Sequence, residues 1–280
     1  DKVEEKLEDV HVDFTSNSNL VEAITRFTNS KRGWNSWWGK SNKIDYQIDY
    51  TVKMPITNNV NLSNDYGSIY LDKLEGNASI NCDYGKVIVG DLLGDNSNIN
   101  LDYSKNSTIK SMKNGNINTD YSGLTIDNSE DVKVNSDYST LKFGKASTIT
   151  FNSDYGSISA EDVKDFSGNG DYTGIKVGVL RNNFKVSSDY GRIRIGELAK
   201  GFESVSIDSE YASVKIGVPD GVGFDFKIDL QYASFSKGNS EIFKSIKKNS
   251  KKYYEGKYDK GGSATVEIKS EFGGVSFYEN

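Results

Sequence analysis

The chain has 280 residues, is 35% hydrophobic and carries a net charge of −6, with Asn, Ser, Asp and Gly abundant and two prolines. So little apolar material in so long a chain excludes one thick globular core, and it suits a thin, elongated core built from short strands and tight turns. The acidic balance, with no dominant basic stripe, argues against a nucleic-acid partner.

The first residues, Asp1 to Asp9, read as the tail of a charged helix, and Val10 to Phe14 as a short strand. A start at Asp1-Lys2-Val3 is expected for a chain whose targeting segment has been removed. Residues Ile44, Tyr46, Ile48, Tyr50, Val52 and Met54 alternate with polar residues up to Pro55, predicting a half-buried strand whose hairpin partner is Leu20 to Thr28. Between them lie Trp34, Trp37 and Trp38, all the tryptophans of the chain. They form either a lid over one end of the fold or an exposed ligand-binding tip. Residues 1–58 are read together as an N-terminal capping region.

From residue 59 to 237 a repeat takes over. A tyrosine preceded by an acid, or at the last copy by Gln231, and then usually followed by Gly or Ser, recurs at Tyr66, Tyr84, Tyr103, Tyr121, Tyr138, Tyr155, Tyr172, Tyr190, Tyr211 and Tyr232. Phe272 resembles a final degenerate copy. Apolar and polar residues alternate around each tyrosine, as in Val186, Ser188 and Tyr190 followed by Ile193 and Ile195. A period of two means a strand with one buried face. The change of parity after the tyrosine places a bend at the Gly or Ser, and Leu74, Leu92, Val163, Leu180 and Leu198 supply a third inward side.

Such units bury their apolar side only by stacking. The predicted fold is therefore all-β: a single-stranded parallel β-helix, or solenoid, of about ten coils preceded by a β-hairpin, with right-handed winding favoured over left-handed. By parity the tyrosines are expected to point inward as a structural ladder. Asn81, Asn100, Asn118, Asn135, Asn152 and Asn169 form an outward ladder, and Asp65, Asp83, Asp102, Asp120, Asp137, Asp154, Asp171 and Asp189 another. Like charges one strand apart repel by about 1 kcal/mol even in water. Two readings offset that: an Asx-type turn on a backbone N–H at each corner, or a row of bound cations. The turn is preferred, because no repeat supplies a closed set of oxygen ligands. Lys142, Lys176, Arg194 and Lys215, with Arg192 nearby, read as a charge-balancing face across the corner.

Residues 238–262 form a Lys- and Tyr-rich insertion with a short helix expected from Ser240 to about Lys248, and residues 263–280 return to the solenoid. Cys82 is expected to be a small buried thiol and His11 a surface or packing residue, which leaves no histidine-based triad and no multi-histidine metal site. No apolar stretch is long enough to cross a membrane as a helix. No catalytic residue, metal ligand or cofactor site is assigned.

The corner sequence Asn152-Ser153-Asp154-Tyr155-Gly156-Ser157-Ile158, repeated along the chain, resembles the adhesin-type β-solenoids of bacterial cell surfaces over roughly Asn59 to Tyr278. That resemblance implies export to the periplasm, the outer surface or the medium, and a non-enzymatic module that binds a surface glycan or a protein. Ser or Thr follows Tyr103, Tyr121, Tyr138 and Tyr172 where the pattern has Gly. Two alternatives stay open: a spacer or scaffold without its own ligand, and a pectinase-like polysaccharide-degrading β-helix. The latter requires carboxylates clustered with a basic residue, and only Asp189 beside Arg192 and Arg194 approximates that.

Overall fold

The computed structural model describes residues 10–18, 21–27 and 47–279. It divides into two units, 1–53 and 54–280. In the first, β1 (Val10–Ser16) and β2 (Val21–Phe27) pair antiparallel. This corrects the expected hairpin: β2 takes β1 as its partner, and residues 47–54 form no strand, although the Tyr50 and Thr25 hydroxyls are hydrogen-bonded. Alternation within 44–54 is a strand signal only where a neighbouring strand accepts its hydrogen bonds. The predicted helix over 1–9 and the tryptophan loop lie outside the described residues.

The second unit is a parallel β-solenoid. Its first coils comprise β3 (Val60–Asp65), β4 (Ser68–Leu74), β5 (Ala78–Asp83), β6 (Lys86–Leu92) and β7 (Ser97–Asp102). Extended backbone then runs through whole turns in β8 (Ser107–Asp120), β9 (Gly123–Asp137), β10 (Thr140–Leu198) and β11 (Ser204–Val218). Each coil lies parallel and in register on the one before, so that Asp83 meets Asp102, Asp102 meets Asp120 and Asp120 meets Asp137. Among the described residues no helix occurs.

Inside, the alternating Ile, Val and Leu form one continuous column, closed on the third side by Leu74, Leu92, Val163, Leu180 and Leu198 as the sequence predicts. The aromatics of this interior are largely phenylalanines: Phe143, Phe151, Phe166, Phe184, Phe224 and Phe226 are all but completely buried. Phenylalanine brings no hydroxyl that a dry core would have to satisfy. Cys82 is buried in the same column, and its burial pushes the thiol up from its ordinary range.

The C-terminal end departs from chain order. After β11 come β12 (Phe224–Gln231), β13 (Phe235–Ser236), β14 (Glu241–Lys248), β15 (Lys251–Tyr258), β16 (Thr265–Glu271) and β17 (Val275–Glu279). Strand β16 pairs with β11 on one side and β12 on the other, and β17 lies between β11 and β13. The Phe272 copy, expected to be the last, is therefore the last but one in space. The expected helix at 240–248 is instead β14, hydrogen-bonded antiparallel to β15, which is antiparallel to β12. The open edge of the final coil explains the difference, because its unpaired backbone groups gain partners only from a strand. A lysine-rich outer strand in turn discourages further pairing.

Candidate functional site

The corner is the feature that each coil repeats. Every tyrosine of the repeat, and Phe272, sits in the left-handed region, with φ between 47° and 65°. A residue there turns the chain and keeps its own side chain outside, so acid and tyrosine point outward in succession and the next residue turns in. The expectation of inward tyrosines is thereby corrected: their exposure runs from 41% at Tyr121 to 81% at Tyr66. The bend lies at the tyrosine, not at the residue after it.

The inward residue after the tyrosine must be small. At Gly85 a Cβ would stand 1.7 Å from the Gly67 carbonyl oxygen. Where serine replaces glycine, its hydroxyl completes the corner. The Ser104 N–H donates to Ser122 Oγ at 2.9 Å, the Ser122 N–H to Ser139 Oγ at 2.9 Å, and Ser122 Oγ donates to the carbonyls of Leu101 and Asp120. The tyrosine N–H groups donate to aspartate carbonyls of the next coil, Tyr84 to Asp102 at 3.0 Å and Tyr138 to Asp154 at 2.9 Å. Corner donors are thus satisfied between coils, and the Asx turn expected within each coil is not the device used.

Outside, the rings stack. Successive centroids from Tyr66 to Tyr211 are 4.7–5.1 Å apart with interplanar angles of 1–9°. Phe272 follows at 4.6 Å, and Tyr232 at 5.0 Å from it. Stacking favours each pair by about 0.5–1.5 kcal/mol, which offsets the roughly 1–2 kcal/mol that a left-handed residue costs. Since each ring's faces are covered by its neighbours, the ladder offers ring edges and a row of phenol hydroxyls to solvent.

Beside it runs the aspartate ladder. Asp102 is raised above the usual carboxylate range by partial desolvation, then by Asp83 and Asp120; Asp137 is raised by desolvation, then by Asp154 and Asp120. Among the described residues none of the eight aspartates is in an ion pair. The expected balancing by Lys142, Lys176, Arg194 and Lys215 is therefore not made through contacts. Next along the sheet, the asparagine ladder forms as predicted: Asn100 Nδ2 donates to Asn81 Oδ1 at 2.6 Å, Asn118 to Asn100 at 2.7 Å and Asn135 to Asn118 at 3.0 Å. A second row links Asn116 to Asn98 at 2.9 Å.

On the other side of the corner a shallow groove crosses several coils, with depressions of about 630 and 430 Å³ that share Asp127. Glycine occupies the second bend at residue 144 because a Cβ there would stand 2.3 Å from the Asp127 carbonyl oxygen, so the two coils pack backbone to backbone. Asp127, Glu161, Lys142 and Lys176 rise around the groove.

The acid–base constellation that catalysis would require is not assembled at the sequence candidate. Asp189 makes no ion pair with Arg192 or Arg194, and Arg194 lies over the Tyr278 ring, 5.4 Å from its centroid. Among the described residues no three His, Cys, Asp or Glu side chains group as metal ligands, and no helix is long and apolar enough to cross a membrane. Trp34, Trp37 and Trp38, the sequence-predicted ligand-binding residues, lie outside the described residues. Set against known protein families, curated proteins and solved structures, the chain matches none.

Proposed function

We propose that the chain is an exported, non-enzymatic recognition module, adhesin-like, in which the rigid solenoid presents one repeated surface to a cell-surface glycan or a protein. The observation that supports this is the corner ladder: eleven aromatic rings held outside the fold in a continuous strip, rimmed by carboxylates that have no ion-pair partner. A contiguous exposed aromatic strip of this extent marks an interaction surface on a soluble fold. The strip is as stiff as the sheet beneath it, so binding to it orders few side chains.

The competing reading is a spacer, in which the rings stack for stability alone. A glycan array and a panel of defined cell-surface proteins separate the two. The full chain is compared with Tyr138→Asn/Tyr155→Asn/Tyr172→Asn, which keeps a residue tolerant of the left-handed corner and removes the middle of the strip. Loss of a wild-type signal in the folded triple variant supports recognition through the ladder. An unchanged signal moves recognition away from the ladder, and no signal from the wild type leaves the spacer.

A further inference from the structure

The groove on the far side of the corner has a chemistry of its own. Its walls follow the coil repeat, and one column carries both glycines and charged residues: Gly90 lies against the backbone of Asp72, Gly144 against that of Asp127 and Gly178 against that of Glu161, with Lys110 between Gly90 and Asp127. In each case the preceding coil's carbonyl oxygen stands 2.1–2.3 Å from where a Cβ would be, so no side chain rises there and the coils pack backbone to backbone. Lys142 and Lys176 line the same depression as Gly144 and Gly178, two coils apart, exposed and without an ion pair among the described residues. Between them Ser159 presents a hydroxyl, and Asp127 and Glu161 present carboxylates to the same depression.

We propose that this groove binds a single linear polyuronate strand lying along the solenoid axis, one sugar per coil. The inference rests on the recognition reading above and names a ligand class and a second surface for it. The coil rise, seen in the 4.7–5.1 Å ring spacing, is close to the length one pyranose unit adds to an extended chain. Groups repeating with the coils therefore stay in step with groups repeating with the sugars. Lys142 and Lys176, two coils apart, meet the carboxylates of alternate sugars, a point-charge contact of the kind a flexible ammonium makes. Asp127, Glu161 and Ser159 take the sugar hydroxyls. With no side chain rising at the glycines, the strand sits close to the sheet. A neutral glycan bound mainly by ring stacking is disfavoured, because the tyrosine faces are covered by one another.

The test is affinity electrophoresis and calorimetry on the full chain with oligogalacturonate of defined length and with a cello-oligosaccharide of equal length. Oligogalacturonate is expected to bind, more weakly as salt screens the lysines, and the neutral oligomer is not. Lys142→Glu/Lys176→Glu, and the milder Lys142→Gln/Lys176→Gln, should weaken binding by about tenfold or more. Lys133→Glu/Lys185→Glu alters net charge as much as the first pair, on the asparagine-bearing sheet, and should change binding by less than about twofold. Melting curves confirm that each variant is folded. No binding by the wild type, equal binding of the neutral oligomer, or equal losses in the groove and control variants would overturn the proposal. The array signal of the tyrosine variant is a separate measurement, so the groove can fail while the ladder reading stands.

Discussion

Replacing Tyr155 by glycine should disturb the protein less than replacing it by alanine, the reverse of the usual order within a strand. The ring is 47% exposed, so about half of the roughly 200 Å² an aromatic side chain can bury is removed from water. At about 25 cal/mol per Å² that burial contributes roughly 2.5 kcal/mol, an upper figure because the unfolded chain already shields some of it. Alanine forfeits the contacts with Tyr138 and Tyr172, at 4.9 and 4.8 Å, and keeps the left-handed strain of φ 52°. Glycine forfeits the same contacts but relieves about 1–2 kcal/mol of that strain. The expected losses are about 2–3 kcal/mol for Tyr155→Ala and about 1 kcal/mol for Tyr155→Gly, read as melting shifts of roughly 2–4 °C per kcal/mol. Tyr155→Phe, which removes only a solvent-facing hydroxyl, should stay within about 0.5 kcal/mol. Alanine outperforming glycine, or a loss above about 3 kcal/mol for both, as for a buried ring, would refute the outward left-handed corner.

Acidification provides a second check. Asp102 and Asp137 are raised in the folded chain, so the native state binds more protons than the unfolded state between the ordinary carboxylate value of about 3.9 and their raised values. Their destabilising effect is complete at neutral pH and fades as pH falls through that window. The melting temperature should rise on going from pH 7 toward that range, and Asp102→Asn/Asp137→Asn should flatten the rise; a steady fall in the wild type over the same span would contradict it. Asp162 works in the opposite sense, held low by its hydrogen bond and charge pairing with Arg181, so its contribution is lost only as pH falls below the usual range. The third check concerns the interleaved strand: Ile268→Ala empties a buried site in β16 and should cost about 2–5 kcal/mol. Hydrogen exchange should then quicken in β12 and β15 as much as in β16, with the coils from Tyr84 to Tyr155 protected as before, because coupling in a stacked array passes through nearest neighbours. Protection lost evenly along the stack would be evidence against that.

Much of this fold was legible because a solenoid writes its period into the chain. The strands, the third inward side and the asparagine ladder all followed from alternation, and Ile80, Val186 and Leu198 are buried where alternation puts them. Alternation failed at one residue per coil. A parity rule assumes extended backbone, and a left-handed residue adds a second outward side chain in succession, so the rule carried the tyrosines inside. The composition of the aromatics held a signal that could have corrected it. Phe143, Phe151 and Phe184 occupy alternating inward positions and have no hydroxyl, whereas ten of the eleven corner rings have one. An aromatic residue that keeps its hydroxyl at every repeat belongs where water can reach it.

The ends were legible least, for a physical reason. A repeat specifies how a coil sits on its neighbour but not which neighbour, and the Glu271-Phe272-Gly273 corner fits beside Tyr211 as well as it would beyond Tyr232. The choice is made by what must follow. Strand β12 has β16 on one side and the antiparallel β15 on the other, and its coil, completed by β13, leads in sequence into the β14–β15 hairpin that covers that edge. With the Phe272 coil inside, β16 and β17 are each paired on both sides, β16 between β11 and β12 and β17 between β11 and β13. Placing the Phe272 coil inside lets β14 form the outer rim, where Lys244, Lys247 and Lys248 oppose further strand addition. The lysines of the insertion read from the sequence are explained by that edge.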